Sequence, residues 1–539
     1  MRIIRDAVWG DIRLTEEEYR VANCYEVLRL NRLRQLHLCY TVYPSATHTR
    51  YSHSLGTLYL AKRVVSESEL PLSSEDARLL YLAALLHDVG HAAFGHVLEP
   101  TIPGLRTHEE MRQSILDGSI VDRYVQFGLL SEPDRRRIEG EESFVALALS
   151  DETRDELGAV FSGHRPWVSE IFDHLIDVDT LDYLARDSWA LGLLPQAYDR
   201  CILSAFRLEP RSSSSGEELG VVFASDDRVF AALEDVIFSR WFLFRNAYLH
   251  PTVMAANAML VDSIIRGGIP AADLDLAYLL GEDELLERIA TCPSPDAAGL
   301  ARRILSRHLY KPAYVINTLG AMKEAPAKSL ARAQRVHRDQ TFLGQFINAA
   351  AEQTGLTPLV GFPLIPPEKN YADLQLSGGA KLGDVMDLEV SIYQARYAQL
   401  ANLYVYSPDS SPAARAKLES YCTEFFGTKG GHMRSAGLEA PAAEGMLRRA
   451  IEELTSRHPR SARVLIELAN GEPATLGMIT ERTGLKKPTV SAHLKEIERT
   501  LNRFPIAVVQ ARVDRRVKEW WIRKPELRQV VREVIGAES

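Results

Sequence analysis

Eight residues in succession, Leu79-Leu80-Tyr81-Leu82-Ala83-Ala84-Leu85-Leu86, run directly into His87-Asp88-Val89-Gly90-His91-Ala92-Ala93-Phe94-Gly95-His96. A helical run that is apolar on nearly every face has to be buried, so His87 and Asp88 are expected to be carried into the interior. Buried imidazoles and carboxylates are costly unless they are paired or bind a metal. His next to Asp supplies a neutral nitrogen and an anionic oxygen, which suits a hard or borderline divalent cation. Gly90 is expected to let the backbone turn and aim His91 and His96 at the same space. A single His at a helix end more often caps carbonyls. Three imidazoles and a carboxylate in ten residues reverse that preference.

Further ligands stand on either side. Upstream, Thr47-His48-Thr49-Arg50-Tyr51-Ser52-His53-Ser54-Leu55-Gly56 opens another helix, with His53 in its first turn. Downstream, Ile176-Asp177-Val178-Asp179-Thr180-Leu181-Asp182-Tyr183-Leu184-Ala185-Arg186-Asp187 is dense in acid for a segment with helical apolar spacing. Asp179 shares a helix face with Asp182 or Tyr183, and Tyr183 shares one with Arg186 or Asp187.

His53, His87-Asp88 and Asp179 together resemble the H…HD…D signature of the HD-domain metal-dependent phosphohydrolases. Arg-x-x-His-Ser-Leu-Gly at 50–56, His-Asp-x-Gly-His-x-x-Phe-x-His at 87–96 and Asp-Val-Asp-x-x-Asp-Tyr-x-Ala-Arg-Asp at 177–187 are similar to the deoxynucleoside triphosphate triphosphohydrolase branch. The resemblance covers residues 1–260 and fades beyond them. It implies that His53, His87, Asp88 and Asp179 hold one divalent metal ion, with Mn, Fe, Mg, Co and Ni left open. His96, Glu99 and His108 are implied to form an acid/base relay, with His91 close to the α-phosphorus. Glu99 stands where the family often has Asp. Gln35 and Leu36 match the pair at the sugar edge, Tyr183 and Asp187 the residues that read the sugar, and Arg50, Arg240 and Tyr248 phosphate-facing positions. For Arg240 and Tyr248, ordinary surface or packing roles are equally open. Phe244 departs from the vertebrate enzyme of this branch, which has His there. Asn23 and Asn31 replace its Asp and Arg for an activating guanine nucleotide, and Asn246 and Pro251 replace two basic residues of a second activator site.

At 539 residues and 46% hydrophobic content, the chain is expected to fold into two or three domains with substantial cores. The fold expected is mainly α: a helical HD-domain core over 1–260, a helical and α/β accessory region over 261–435, a linker at 436–445 and a C-terminal winged helix-turn-helix over 446–539. Short apolar runs at 359–362 and 403–406 read as strands of the α/β part, and 220–224 as another strand. Residues 211–216 read as a flexible turn, and 1–20 as a turn-rich lead-in. No apolar run is long enough to span a bilayer and the N-terminus lacks signal-peptide character, so a cytoplasmic protein is expected, with no membrane partner. The five cysteines form no CxxC pair, which points to reduced thiols.

Charge is uneven. Residues 445–539 carry 19 Lys+Arg against 12 Asp+Glu, about +7 within a chain of net charge −9. Such polarity suggests that the C-terminal part meets a polyanion. There, helices at 462–469, 475–483 and 487–501, with Gly484-Leu485 between the last two, give the helix-turn-helix order, and 506–522 reads as a hairpin with Arg515 and Arg516 at its tip. The segment resembles winged helices of bacterial transcription regulators. Lys486, Lys487, Thr489, Ser491, His493 and Lys495 suit phosphate and base-edge contacts with duplex or single-stranded DNA, and Arg515 and Arg516 suit a minor groove. Winged helices also serve protein contacts, because fold does not dictate function.

Three functions are compatible with these residues. The first is hydrolysis of (deoxy)nucleoside triphosphates to nucleoside and triphosphate, in a homo-oligomeric enzyme. The second is an HD-type phosphodiesterase or nuclease acting on nucleic acid. The third is a nucleotide-sensing DNA-binding regulator, against which an intact acid/base set argues.

Overall fold

Apolar residues at helical spacing dominate the first half of the chain, and helices dominate its structure. A computed structural model describes residues 1–68, 70–128, 143–194, 196–213, 216–318, 327–362, 370–430, 451, 454–455, 459–469, 474–501, 510–514, 517–521 and 532. The expected linker at 436–445 and both Arg515 and Arg516 lie outside the described residues. The chain forms two compact units, Met1–Gly431 and His432–Ser539.

In the first unit, three helices position the site. Arg50–Glu67 starts where Thr49 accepts a hydrogen bond from the Ser52 N–H. Ser74–Leu86 starts at the Ser73 cap and buries its apolar run from Leu79 to Leu86 apart from Tyr81. Truncating one such leucine to alanine costs about 2–5 kcal/mol in a core of this kind. Val178–Leu191 starts at Asp177, whose carboxylate accepts from Thr180 N at 2.6 Å, and ends at Gly192 in the left-handed conformation. Arg50–Glu67 packs against both of the others. His53, the His87-Asp88 pair and Asp179 therefore stand on three neighbouring elements. A fourth helix, Asp227–Leu243, packs on Val178–Leu191 and continues through a π turn at Phe244–Tyr248.

Several segments differ from their sequence reading. The N-terminal lead-in is a β-hairpin, Arg2–Asp6 paired with Gly10–Leu14. The serine-rich stretch is mostly strand, because Phe206–Ser213 pairs along its whole length with Gly216–Phe223. The accessory region contains a strand that helical patterning concealed, Lys311–Asn317. It pairs antiparallel with Asn402–Ser407, whose other edge carries Leu359–Gly361. A separate core of Tyr314, Ile316, Phe346, Leu403, Val405, Leu418 and Phe426 covers this sheet.

The second unit contains helices Ser461–Leu468, Leu476–Thr483 and Lys487–Leu501, with strands Ala474–Thr475, Gln510–Asp514 and Val517–Trp521. Val517–Trp521 lies between the other two strands. Thr475 is the cap of its helix, and Gly484, at φ 65°, makes the turn into the next. Val464, Leu465, Leu468, Ile479, Val490, Leu494 and Ile497 form the buried faces of the three helices.

One buried carboxyl makes stability depend on pH. Glu26 is fully enclosed; Phe144 N donates to it at 3.0 Å, and Tyr124 and neighbouring backbone N–H groups also favour its charged form without offsetting burial. Burial raises its pKa from an ordinary 4.5 to about 7. Its contribution to stability is fully present below the unfolded value of 4.5 and is lost as pH rises through about 7. The loss amounts to about 3 kcal/mol at 1.36 kcal/mol per pKa unit. Urea unfolding at pH 5 and pH 8 should show this slope in the parent protein and a flatter one in Glu26→Gln. An equally steep slope in the variant would show that other groups cause it.

Candidate metal centre and catalytic pocket

The ends of the three helices bring four donor groups into one small space. His53 Nε2 lies 2.8 Å from an Asp179 oxygen, 3.3 Å from His87 Nε2 and 3.8 Å from Asp88 Oδ2. His87 Nε2 lies 3.4 Å from Asp88 Oδ1 and 3.7 Å from the same Asp179 oxygen. Neighbouring ligands each about 2.1 Å from an ion sit roughly 3 Å apart, so the spacing of His53, His87 and Asp88 fits a divalent-metal site. His53, His87 and Asp88 are buried, and Asp179 is half-buried at the open side.

The imidazoles are turned for that task by what holds their far nitrogens. His53 Nδ1 is 2.8 Å from Asp182 Oδ2, and His87 Nδ1 is 2.9 Å from the Ala84 carbonyl. With those acceptors on Nδ1, the proton belongs there and Nε2 keeps its lone pair. Burial alone would lower the pKa of His53, yet Asp179 and Asp182 raise it to about 10, which marks a point where positive charge is strongly favoured. Burial would likewise raise Asp88, but His87, Arg50 and His91 outweigh it and hold the carboxyl well below its usual range. The donor set and its orientation fit a resident divalent ion.

Asp182 is the support that sequence alone did not assign. It accepts from His53, from Arg186 at 2.8 and 3.0 Å, and from Trp9 Nε1 at 2.5 Å. Arg186 in turn reaches Asp6 in the N-terminal hairpin at 2.8 Å. Burial would raise Asp182, but Arg186 and His53 bring its carboxyl to about 2. Gly56 makes room for this group, because a Cβ there would fall 1.8 Å from Asp182 Oδ1. The signals available beforehand were the three-residue spacing from Asp179 and a glycine inside a helix.

Beside the four donors stands a second cluster. Glu99 links two rings: His91 Nδ1 at 3.2 Å and His108 Nδ1 at 2.9 Å. His91 Nε2 is 3.2 Å from Asp88 Oδ1, which joins the clusters. Burial would raise Glu99, but its bonds to His108 and His91 hold the carboxyl well below the usual range. His91 and His96 are pushed down, first by the surrounding protein and then by nearby cationic groups. His96 remains open to solvent although protein crowds it closely, as a side chain does on the wall of a recess. Gly90 is needed for a different reason from the one its sequence context suggests. Its φ is ordinary, but a Cβ would lie 2.0 Å from the His108 carbonyl oxygen, so it permits close packing of the helix that carries His108.

The remaining candidates divide. Arg50 is buried and donates to Asp88 Oδ2 at 2.6 Å, while its Nε and Nη2 have no partner. Gln35 and Leu36 run beside His48, with Gln35 N donating to the His48 carbonyl at 3.0 Å. Asp187 is engaged on both oxygens, by His48 Nε2 at 2.7 Å and the Tyr248 hydroxyl at 2.5 Å. Arg240 donates to the Tyr371 hydroxyl at 2.8 Å and sits over the Phe244 ring, so Phe244 supports this arginine. Tyr183 is half-buried on the helix that carries Asp179 and Asp187. Neither His48 nor Tyr371 stood out in the sequence. Asn23 and Asn31 are exposed and bond to carbonyls of their own turns. In the second unit Lys486, Lys487 and Lys495 are exposed, Thr489 and Ser491 are half-buried, and His493 Nδ1 contacts Ser461 Oγ at 2.9 Å.

Asp182→Asn should weaken divalent-metal binding by about 10–100-fold, the usual effect of removing a group that orients a metal-bound histidine. Titration with Mn²⁺ monitored by calorimetry measures it, with circular dichroism as the control for folding. A folded variant with parental affinity would show that Asp182 serves only Arg186.

Residues 50–187 match the HD domain family. An uncharacterized protein of Methanocaldococcus jannaschii is 30% identical over 312 residues, covering 58% of this chain and 59% of its own length. The human deoxynucleoside triphosphate triphosphohydrolase is 29% identical over 356 residues, covering 58% of this chain and 54% of its own length. The chain thus spans between half and two thirds of both relatives. Among solved structures, a phosphohydrolase of Bacteroides thetaiotaomicron aligns over 76% of this chain and all of its own with a TM-score of 0.53 and 20% identity, a likeness of fold. A hypothetical protein of Aquifex aeolicus does so over 77% of this chain and 99% of its own, with a TM-score of 0.54 and 22% identity.

Proposed function

We propose that this chain is a metal-dependent phosphohydrolase that cleaves (deoxy)nucleoside triphosphates to nucleoside and triphosphate. The observation that carries the reading is the abutment of two clusters: His53, His87 and Asp88 with Asp179 beside His53, suited to a divalent ion, and the Glu99-linked imidazoles, of which His91 lies 3.2 Å from Asp88. Similarity to a deoxynucleoside triphosphate triphosphohydrolase supplies the substrate class. His53, His87, Asp88 and Asp179 would hold the ion, which when bound polarises a phosphoryl group and favours ionisation of water. Glu99 keeps His91 and His108 in place through their Nδ1 atoms, and their opposite nitrogens, 3.2 Å from Asp88 Oδ1 and 3.0 Å from Glu109 Oε1, would exchange protons with the reacting oxygens on leaving those carboxylates. His96, accessible and not charged by its surroundings, suits donation or acceptance at the leaving side. The free Nε and Nη2 of Arg50 offer charge-assisted hydrogen bonds to phosphate oxygens. The Gln35 amide, with its Oε1 unpartnered, and Tyr183 would face the sugar.

The test is a panel of nucleotides and labelled oligonucleotides assayed with Mn²⁺, Mg²⁺ and Co²⁺, without added GTP or dGTP. Release of triphosphate from nucleotides is expected, and Asp88→Ala should lose both metal and turnover. His108→Ala should retain metal and lose about 10²–10⁴ in rate. Unchanged turnover in His108→Ala would remove it from the relay, and cleavage of oligonucleotides alone would make the enzyme a nuclease.

For the second unit the reading is a winged helix that binds DNA, in a cytoplasmic homo-oligomer. Exposed Lys486, Lys487 and Lys495 on or beside the helix Lys487–Leu501 support it, as does the local excess of basic residues. Binding to duplex DNA should fall steeply with salt, and each phosphate contact removed should lower the slope of log affinity against log salt by about 0.9. Replacing Lys486, Lys487, Lys495, Arg515 and Arg516 with Glu should abolish binding while nucleotide hydrolysis continues. Parental affinity in the substituted protein would make the module a protein-contact domain.

A further inference from the structure

Just after Gln35 and Leu36 the chain makes an uncommon turn. His37 has φ 46°, in the left-handed region that non-glycine residues seldom occupy, and it is buried at 7% exposure. Backbone strain of this kind persists where surrounding contacts enforce it, and it gathers at ligand-contacting sites. The enforcing contact comes from a distant segment. His37 Nδ1 lies 2.8 Å from Oε1 of Glu282, a fully buried carboxylate in the first turn of the helix Glu282–Ala290. Arg34 holds the other Glu282 oxygen at 3.3 Å. The opposite ring nitrogen, His37 Nε2, is buried and has no hydrogen-bond partner. Unpaired buried polar atoms are rare enough to call for an explanation.

The surroundings supply one. The His37 ring lies 6.0 Å from that of His96 and 6.2 Å from that of Phe94, so it backs the recess whose wall is His96. His96 is accessible, and no hydrogen bond ties it among the described residues, so its ring can turn aside. We propose that His37, oriented by Glu282, is a ligand-contacting residue whose Nε2 takes an anionic oxygen of the substrate's phosphate chain once His96 turns. With Nδ1 held by the Glu282 carboxylate, Nε2 is the ring atom left to donate to a phosphate oxygen. The accessory region thereby contributes to the pocket: Glu282 sets the orientation of an imidazole in the first part of the chain. The inference deepens the proposed nucleotide-hydrolase reading and rests on it for the identity of the substrate.

The test uses the full chain with Mn²⁺ and inorganic tripolyphosphate as the probe, measured by calorimetry. His37→Gly keeps the left-handed turn without strain but leaves Glu282 with Arg34 alone, so circular dichroism checks that it folds, while tripolyphosphate binding should weaken by at least about tenfold, the worth of one hydrogen bond to a charged group. His37→Asn, which tolerates the left-handed turn and can still donate to Glu282, should show the same weakening because its side chain stops short of the ligand. It serves as the second variant if the glycine form is unstable. In the parent, the His37 ring signals should shift on adding tripolyphosphate. With nucleotide as substrate, both variants should raise KM and lower kcat/KM at least about tenfold. Parental tripolyphosphate affinity in either folded variant, or unmoved His37 signals on saturation, overturns the contact and leaves His37 structural. Tripolyphosphate binding does not depend on turnover, so a parent protein that hydrolyses no nucleotide would reject the functional reading while this contact is still measured.

Discussion

A carboxylate enclosed by protein is stable only when its charge is answered, and at Asp182 it is answered from three directions. His53, Arg186 and Trp9 all donate to it, and Arg186 passes the link on to Asp6. Through this group the N-terminal hairpin, the helix bearing His53 and the helix bearing Asp179 are fixed relative to one another. The close approach has a steric condition as well as an electrostatic one, since Gly56 is the only side chain small enough to leave Asp182 in place. Donor groups spaced for metal binding are the result of that arrangement. Charge and volume have to be satisfied together here, and neither suffices alone.

The pocket separates its charges by position. Carboxylates crowd around His53, where they favour a cation, while His91, His96 and Arg50 lie on the side where burial and neighbouring positive groups favour neutral imidazoles. Asp88 stands between the two, contacting Arg50, His91 and the other donors. Such a layout puts the carboxylate-rich end of the recess apart from the end where imidazoles are held neutral.

Residues well beyond the segment 50–187 belong to the same unit, Met1–Gly431, and contact the residues of the candidate site. Tyr371 receives the Arg240 guanidinium, Glu282 holds His37, and the Ala277 carbonyl accepts from Ala93 N at 2.6 Å within the histidine-rich loop. The π turn at Phe244–Tyr248 brings Tyr248 to Asp187 and leaves Phe244 beneath Arg240.

Much of this was legible in the chain itself. The apolar run Leu79–Leu86 demanded burial, which forced His87 and Asp88 inward, and local motifs marked His53, Asp179, His91, His96, Glu99 and His108 as candidates. Capping residues such as Thr49, Ser73 and Asp177 set helix starts for reasons that act within a single turn. What the sequence could not reveal were pairings across long separations: Asp182 with Trp9, His37 with Glu282, Arg240 with Tyr371, and the strand Lys311–Asn317 with Asn402–Ser407. Periodicity and motif spacing report a residue's own neighbourhood. Which distant group answers a buried charge, or completes a strand edge, depends on how the whole chain packs, and only the tertiary structure decided that Gly90 serves close packing, that Asp187 is already engaged on both oxygens, and that a strained histidine backs the catalytic recess.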